Sequence, residues 1–181
     1  MENETLNTMI TVLTTGFITL LAVHLTNRAN YKKLILQTEL EREIKIKEII
    51  RKKLEELYLL TDTWITAIIT NWLPYHKVML GELTYNQALD ITIQQGENYK
   101  YEFSRIKMLI DLYFPSVLEK YNELLKAKNS VNQILDTHKR DYKKGNINGL
   151  KYAEPFLNEQ KKFAEKVEIL MQSITDLSKT V

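Results

Sequence analysis

Apolar residues recur along most of this chain at intervals of three and four, the repeat of one helical face. Ile46, Ile50, Leu54, Leu57, Trp64 and Ile68 make one such stripe, with charges between them. Phe103, Ile106, Leu109, Ile110 and Tyr113 make a second, and Leu118, Tyr121, Leu125, Val131 and Leu135 a third. Phe156, Phe163, Val167, Leu170, Ile174 and Leu177 make the last. No stretch alternates apolar and polar residues with period two between turn signals, so strands are not expected. No internal repeat is found.

Breakers place the boundaries. Neither Gly nor Pro occurs between Gly16 and Pro74, so a helix through residues 6–73 can run unbroken. A joint near Asn27 and Asn30 is equally compatible, because asparagine is a modest helix former. Pro74 is expected to end this helix, since it lacks an N–H and disfavours helical geometry at Leu73. Thr84-x-x-Gln87 reads as a capping box, opening a helix that Gly96 closes. The next helix is expected over about residues 99–114, with Pro115 at the tolerated first position of its successor, which runs to about Lys144. Residues 143–149, KKGNING, are the clearest loop, and a last helix is expected from about Pro155.

Helices joined by short loops pack as antiparallel neighbours. The expected fold is therefore all-α: a single N-terminal transmembrane helix, a long helix, then a cytoplasmic antiparallel helical bundle. By residue, this gives a tail over 1–5, the span over 6–26, a charged juxtamembrane helix over 27–56 and the bundle over 57–181. The charged faces of the long helix are either solvated or a coiled-coil seam with a second copy.

The span rests on LNTMITVLTTGFITLLAVHLT, residues 6–26, which hold no Lys, Arg, Asp or Glu. As a helix these residues cover roughly 30 Å, the thickness of a bilayer's hydrocarbon core. A signal peptide would open on a basic segment and end on a small-residue cleavage pattern, whereas this chain opens on Met-Glu-Asn-Glu. An uncleaved anchor fits better. Residues 27–56 carry nine basic residues against six acidic ones, while Glu2 and Glu4 precede the span. Basic flanks stay inside, which puts the N-terminus outside and the C-terminus in the cytoplasm. Arg28, Lys32 and Lys33 are then the candidates for anionic headgroup contact. Residues 57–73 form a second apolar stretch. Asp62 and Asn71 interrupt it, so it is read as a core helix of the bundle, with Asp62 a surface acid on its outer side.

Within the span, Thr8, Thr11, Thr15, Thr19, Ala22 and Thr26 follow one another at steps of 3, 4, 4, 3 and 4. That spacing puts them on one face, where small residues let helix backbones approach and hydroxyls can bond across a contact. Self-association or docking to a partner's span is the use expected of it.

Composition narrows the chemistry. The 181 residues include no cysteine, which excludes disulfides, thiolate metal sites and a cysteine nucleophile. The net charge of +2 gives no field for nucleic acid. His24, His76 and His138 form no metal-ligand spacing, and no nucleophile elbow, P-loop or dinucleotide motif is present. The basic runs at residues 99–105 and 138–144 are read as solvated helix ends. Abundant Ile, Lys and Asn beside few Arg and Ala point to an AT-rich coding source, bacterial or phage-related. The expectation is a non-enzymatic interaction or sensing protein at the cytoplasmic membrane face. It needs no cofactor, metal, nucleic acid or small-molecule substrate, and its partners are the membrane and either a second copy or another protein. The alternative is a membrane-perturbing effector of toxin or phage-defence type, whose Thr-rich span oligomerises.

Overall fold

A computed structural model describes residues 2–98 and 103–179. They form helices and no strand: α1 (Glu2–Met79), α2 (Tyr85–Asn98), α3 (Phe103–Tyr113), a 3-10 turn (Pro115–Val117), α4 (Leu118–Lys143) and α5 (Leu150–Leu177). The chain divides into two units, Met1–Glu48 and Ile49–Val181. The described part of the first is helical throughout, with no break at residues 27–30, and its side chains are exposed wherever exposure is described.

The second unit is an up-down-up-down bundle. Tyr85 at the start of α2 meets Tyr75 of α1 (ring centroids 5.7 Å apart), and Phe103 at the start of α3 meets Trp64 (5.6 Å). Arg105 of α3 then pairs with Glu56, so α2 and α3 together make one arm that returns along α1. Lys166 of α5 pairs with Glu123 of α4 at 2.7 Å, and Lys151 with Asp141 at 2.8 Å, so α5 runs antiparallel to α4. The core follows the apolar spacing. Leu57, Trp64 and Trp72 from α1, Tyr121, Leu124 and Val131 from α4, and Phe156, Phe163, Leu170 and Ile174 from α5 are all buried. Trp72 sets its ring edge-on against Phe163 at 4.9 Å, and its indole N–H donates to Asn132 Oδ1 at 3.1 Å. Asp62 is exposed, while Thr61, Ile65 and Ala67 face the core. Residues 57–73 are thus a core helix, as their polar interruptions imply.

Several boundaries depart from the expectation. Pro74 does not end α1; it lies inside the helix, which continues to Met79. Proline there removes one intrahelical hydrogen bond. The turn beyond it recovers that loss through packing: Tyr75 meets Tyr85, His76 stacks on Phe156 at 5.9 Å, and Val78 and Met79 are buried. The actual stop is Gly81, at φ 77°. Its N–H bonds to the Val78 carbonyl and the Glu82 N–H to the Lys77 carbonyl, the paired bonds of a Schellman cap. Gly145, at φ 92°, ends α4 the same way, with bonds from Gly145 to Tyr142 and from Asn146 to Asp141. Gly96 does not close α2, which runs on to Asn98. Its helical backbone costs less than about 1 kcal/mol against alanine and does not by itself break the helix.

The last helix begins at Leu150, five residues before Pro155, because Asn148 and Gly149 supply the start. The Asn148 side-chain oxygen accepts from the Leu150 N–H at 3.1 Å. The capping box is present as expected: Thr84 N–H donates to Gln87 Oε1 at 2.9 Å, and Gln87 N–H to Thr84 Oγ1 at 3.3 Å. Residues 99–102, the expected start of the helix that follows α2, lie outside the described residues.

Two glycines give opposite predictions. A Cβ on Gly149 would lie 2.6 Å from the Met79 Cα and 2.7 Å from His138 Nε2, a clash with backbone that no rotamer relieves. Gly149→Ala should therefore destabilise the bundle by about 1–3 kcal/mol. A Cβ on Gly96 meets nothing within 4 Å. Gly96→Ala should stabilise by about 0.5–1 kcal/mol through helix propensity. Urea unfolding followed by circular dichroism checks both, and the same sign for the two variants would contradict this packing.

Candidate functional site

Two parts of the chain carry the features that bear on function. The first is the uncharged run of α1. Among the described residues α1 is one helix long and apolar enough to cross a membrane. Met9, Val12, Leu13, Phe17, Ile18, Leu20 and Leu25 are exposed round most of it. An uncharged helix this widely apolar suits a large core or a bilayer. Thr8, Thr11, Thr15, Thr19, Ala22 and Thr26 share one exposed face. Three of their hydroxyls donate one turn back along the same helix at 2.8 Å: Thr11 to Asn7, Thr15 to Thr11 and Thr19 to Thr15. The remaining threonine of the span, Thr14, lies about 100° round from Thr15 and bonds back to the Ile10 carbonyl at 2.8 Å. These donors are thus spent inside the helix, leaving small, shape-defining methyl and oxygen surface outside. Arg28, Lys32 and Lys33 follow, all exposed.

The second is the end of the bundle where α1, α2, α4 and α5 meet around His138. This histidine begins a run of basic residues, and sequence reading placed it with them on a solvated helix end. The structure buries it completely, while Lys139 and Arg140 beside it are exposed. A signal for this was present. Val117, Tyr121, Leu124, Val131, His138 and Tyr142 fall on one 3–4 seam of α4, with Lys128 and Leu135 between them. The rings of Tyr85, Tyr142 and Tyr152 surround the imidazole at centroid distances of 5.4, 6.2 and 5.2 Å. Nδ1 lies 3.4 Å from the Tyr85 hydroxyl, and Nε2 is buried without a hydrogen-bond partner.

Nearby charges are fixed by one another. Lys151 donates to Asp141 at 2.8 Å and the Tyr152 hydroxyl donates to it at 2.6 Å, which holds the Asp141 carboxyl below its ordinary range. Burial pushes the His138 pKa down, against a smaller upward pull from Asp141. An imidazolium would need two acceptors, and the Tyr85 hydroxyl is the one within reach. Of the other run read as a solvated end, residues 99–102 lie outside the described residues; Phe103 packs on Trp64, and Arg105 pairs with Glu56.

No protein-family model, characterised protein or solved structure matches the chain.

The burial of His138 predicts a pH dependence. The unfolded chain takes up a proton near the ordinary value of 6.5, and the folded chain does so only at lower pH. Stability is therefore fully present above about pH 6.5 and falls as the pH drops below it, by at most about 1.4 kcal/mol per unit for one proton. The carboxylates held low by partners, Glu56, Glu123, Asp141 and Asp176, lose their contribution only below this window. Urea unfolding between pH 7.5 and 5.5 should show the decline, and His138→Leu should flatten it. An equal slope in the variant would refute the assignment.

Proposed function

We propose that this protein is a membrane-tethered, non-enzymatic interaction or sensing module. Residues 6–26 cross the bilayer, the short acidic tail lies outside, and the helical bundle works on the cytoplasmic side. The observation that carries this reading is the exposure of an uncharged helical stretch with apolar side chains round all but its threonine face. In water such a surface exceeds what a soluble monomer presents as a contiguous patch. In lipid it needs no partner. The orientation rests on the basic excess of residues 27–56, in which Arg28, Lys32 and Lys33 meet anionic headgroups at about 1 kcal/mol each.

The span is more than an anchor in this reading. Its Thr8-to-Thr26 face packs against a second copy or a partner's span, with contact made through close backbone approach. The bundle over residues 57–181 favours tethering over membrane perturbation, because a simple pore former needs no such domain. The bundle, with a core of its own, supplies the surface that partners or signals reach.

The full chain should stay with membranes through alkaline carbonate extraction, and a chain lacking residues 1–26 should not. Alkaline phosphatase fused after residue 181 should be inactive; an active fusion would reverse the orientation. In an in-membrane dimerisation reporter, Thr15→Leu with Thr19→Leu should insert normally yet lose most of the association signal. Serine at both positions should change it little, because interhelical hydrogen bonds in membranes average only about 0.6 kcal/mol. Equal signals from wild type and the leucine pair would remove the stripe from the interface.

A further inference from the structure

Between α1, α3 and α4 the bundle leaves a cavity of about 390 Å³, within the range of small-molecule sites. Its walls are unusual for a gap in a helical core. Trp64, Trp72, Tyr75 and Phe103 give it four aromatic rings. Among the described residues Lys128 is the one charged group on its lining, in a chain whose acidic and basic residues nearly balance at 23 and 25. The Lys128 ammonium sits over the faces of Trp64 and Phe103, 5.7 and 5.8 Å from their centroids.

Two carboxamides complete the lining and have fixed roles. The Trp72 indole N–H can only donate, and it donates to Asn132 Oδ1 at 3.1 Å. This orients the Asn132 amide so that its NH2 remains a donor. Asn71 Oδ1 is buried and accepts no hydrogen bond. A buried acceptor left unpaired carries the cost of its lost hydration, so such a group at a cavity wall marks where a donor belongs.

From this arrangement we infer that the cavity is a binding site for a small planar heteroaromatic anion, of one or two rings, carrying a ring N–H and a ring carbonyl. The rings of the protein stack on its faces, and Lys128 meets its negative group. Asn71 Oδ1 accepts from its N–H, and the Asn132 NH2 donates to its carbonyl. Among the described residues the lining carries an ammonium and no carboxylate, which favours an anion over a cation, and the volume excludes a nucleoside triphosphate. The inference goes beyond the membrane reading and does not depend on it, since every group involved belongs to the bundle.

Orotate serves as the probe, because it combines a planar ring, N–H and carbonyl groups and one negative charge. Benzoate carries the charge without the N–H, and uracil the N–H without the charge. Titration calorimetry on the full chain in phosphatidylcholine nanodiscs should give saturable orotate binding, with each of the other two at least tenfold weaker. Trp64 and Trp72 are the chain's two tryptophans, so intrinsic fluorescence, corrected for probe absorbance, gives a second reading of the same event. Lys128→Met keeps the packing of the stem and should weaken orotate at least tenfold while leaving uracil unchanged. Asn71→Leu should weaken orotate and uracil and leave benzoate unchanged. Circular dichroism and thermal melts of both variants must match the wild type for these comparisons to count, and Lys128→Gln and Asn71→Ser replace any variant that melts early. The absence of heat and of fluorescence change with all three probes at millimolar concentration would show a merely hydrated cleft and overturn the proposal. Orotate binding that is indifferent to both substitutions would overturn it equally.

Discussion

The compact unit depends on how Trp72 is held. Its ring stands edge-on to Phe163 and, farther off, to Phe156, both on α5, while its N–H is tied to Asn132 on α4. One side chain of α1 thereby fixes the register of two other helices. Each aromatic pair adds about 0.5–1.5 kcal/mol beyond its buried area. The hydrogen bond adds direction: an indole N–H buried without a partner would be penalised, so α4 cannot slide along α1 without cost. Trp64, eight residues earlier, packs at a tilt on Phe103 of α3 and Tyr121 of α4. Both indoles line the cavity, with Ile68 between them.

Much of this architecture was legible, and the misses share a cause. Apolar spacing located α3, α4, α5 and the core part of α1, and the capping box located the start of α2. Pro74 and Gly96 were overvalued as stops, and Pro155 as a start. Each costs a bounded amount of local free energy, and at Pro74 and Pro155 the neighbouring side chains return it: Val78, Met79 and Phe156 are buried within a turn of a proline. Local signals lose when a core is within reach. The glycines that do end helices, Gly81 and Gly145, do so because the chain must enter left-handed geometry there, where a side chain is strained.

His138 shows the same competition from the other side. Its neighbours in the chain are charged, which suggested a solvated end, yet its place on the seam of α4 decides its environment. Burying an imidazole with one nitrogen unpaired opposes folding, so the close approach around it must be strongly favoured. Gly149 makes that approach possible by letting the start of α5 come within van der Waals contact of Met79 and the histidine ring. The titration of His138 and the intolerance of Gly149 to a side chain are thus two consequences of one contact. The seam of α4 signalled the burial of His138, but the contact with Gly149 was not visible in the sequence, because the residues involved come from α1, α4 and the turn before α5.

Within α1, apolar residues are arranged for two different surroundings. From Ile50 to Val78 the buried ones gather on one side, and the outer side mixes Arg51, Glu55 and Asp62 with the exposed Tyr58, Leu59, Ile69 and Leu73. Over residues 6–26 they cover all but the Thr-rich face, with Asn7 and His24 the other polar residues. A threonine or serine hydroxyl can satisfy its own donor without leaving the helix, and Thr11, Thr14, Thr15 and Thr19 all do so. In a medium that offers no water, that self-sufficiency is what makes a polar side chain tolerable. Thr61 marks the contrast. It sits at a seam position of the bundle with its hydroxyl buried and unbonded, a loss that the packing around Leu57, Trp64 and Ile65 has to offset. The bundle can carry such a loss because its core gains come from burial out of water. Elsewhere in the bundle Thr63, Thr92, Thr137 and Thr175 bond back to the carbonyl four residues before, as Thr11, Thr15 and Thr19 do, so Thr61 is held by packing where they are held by their own helix.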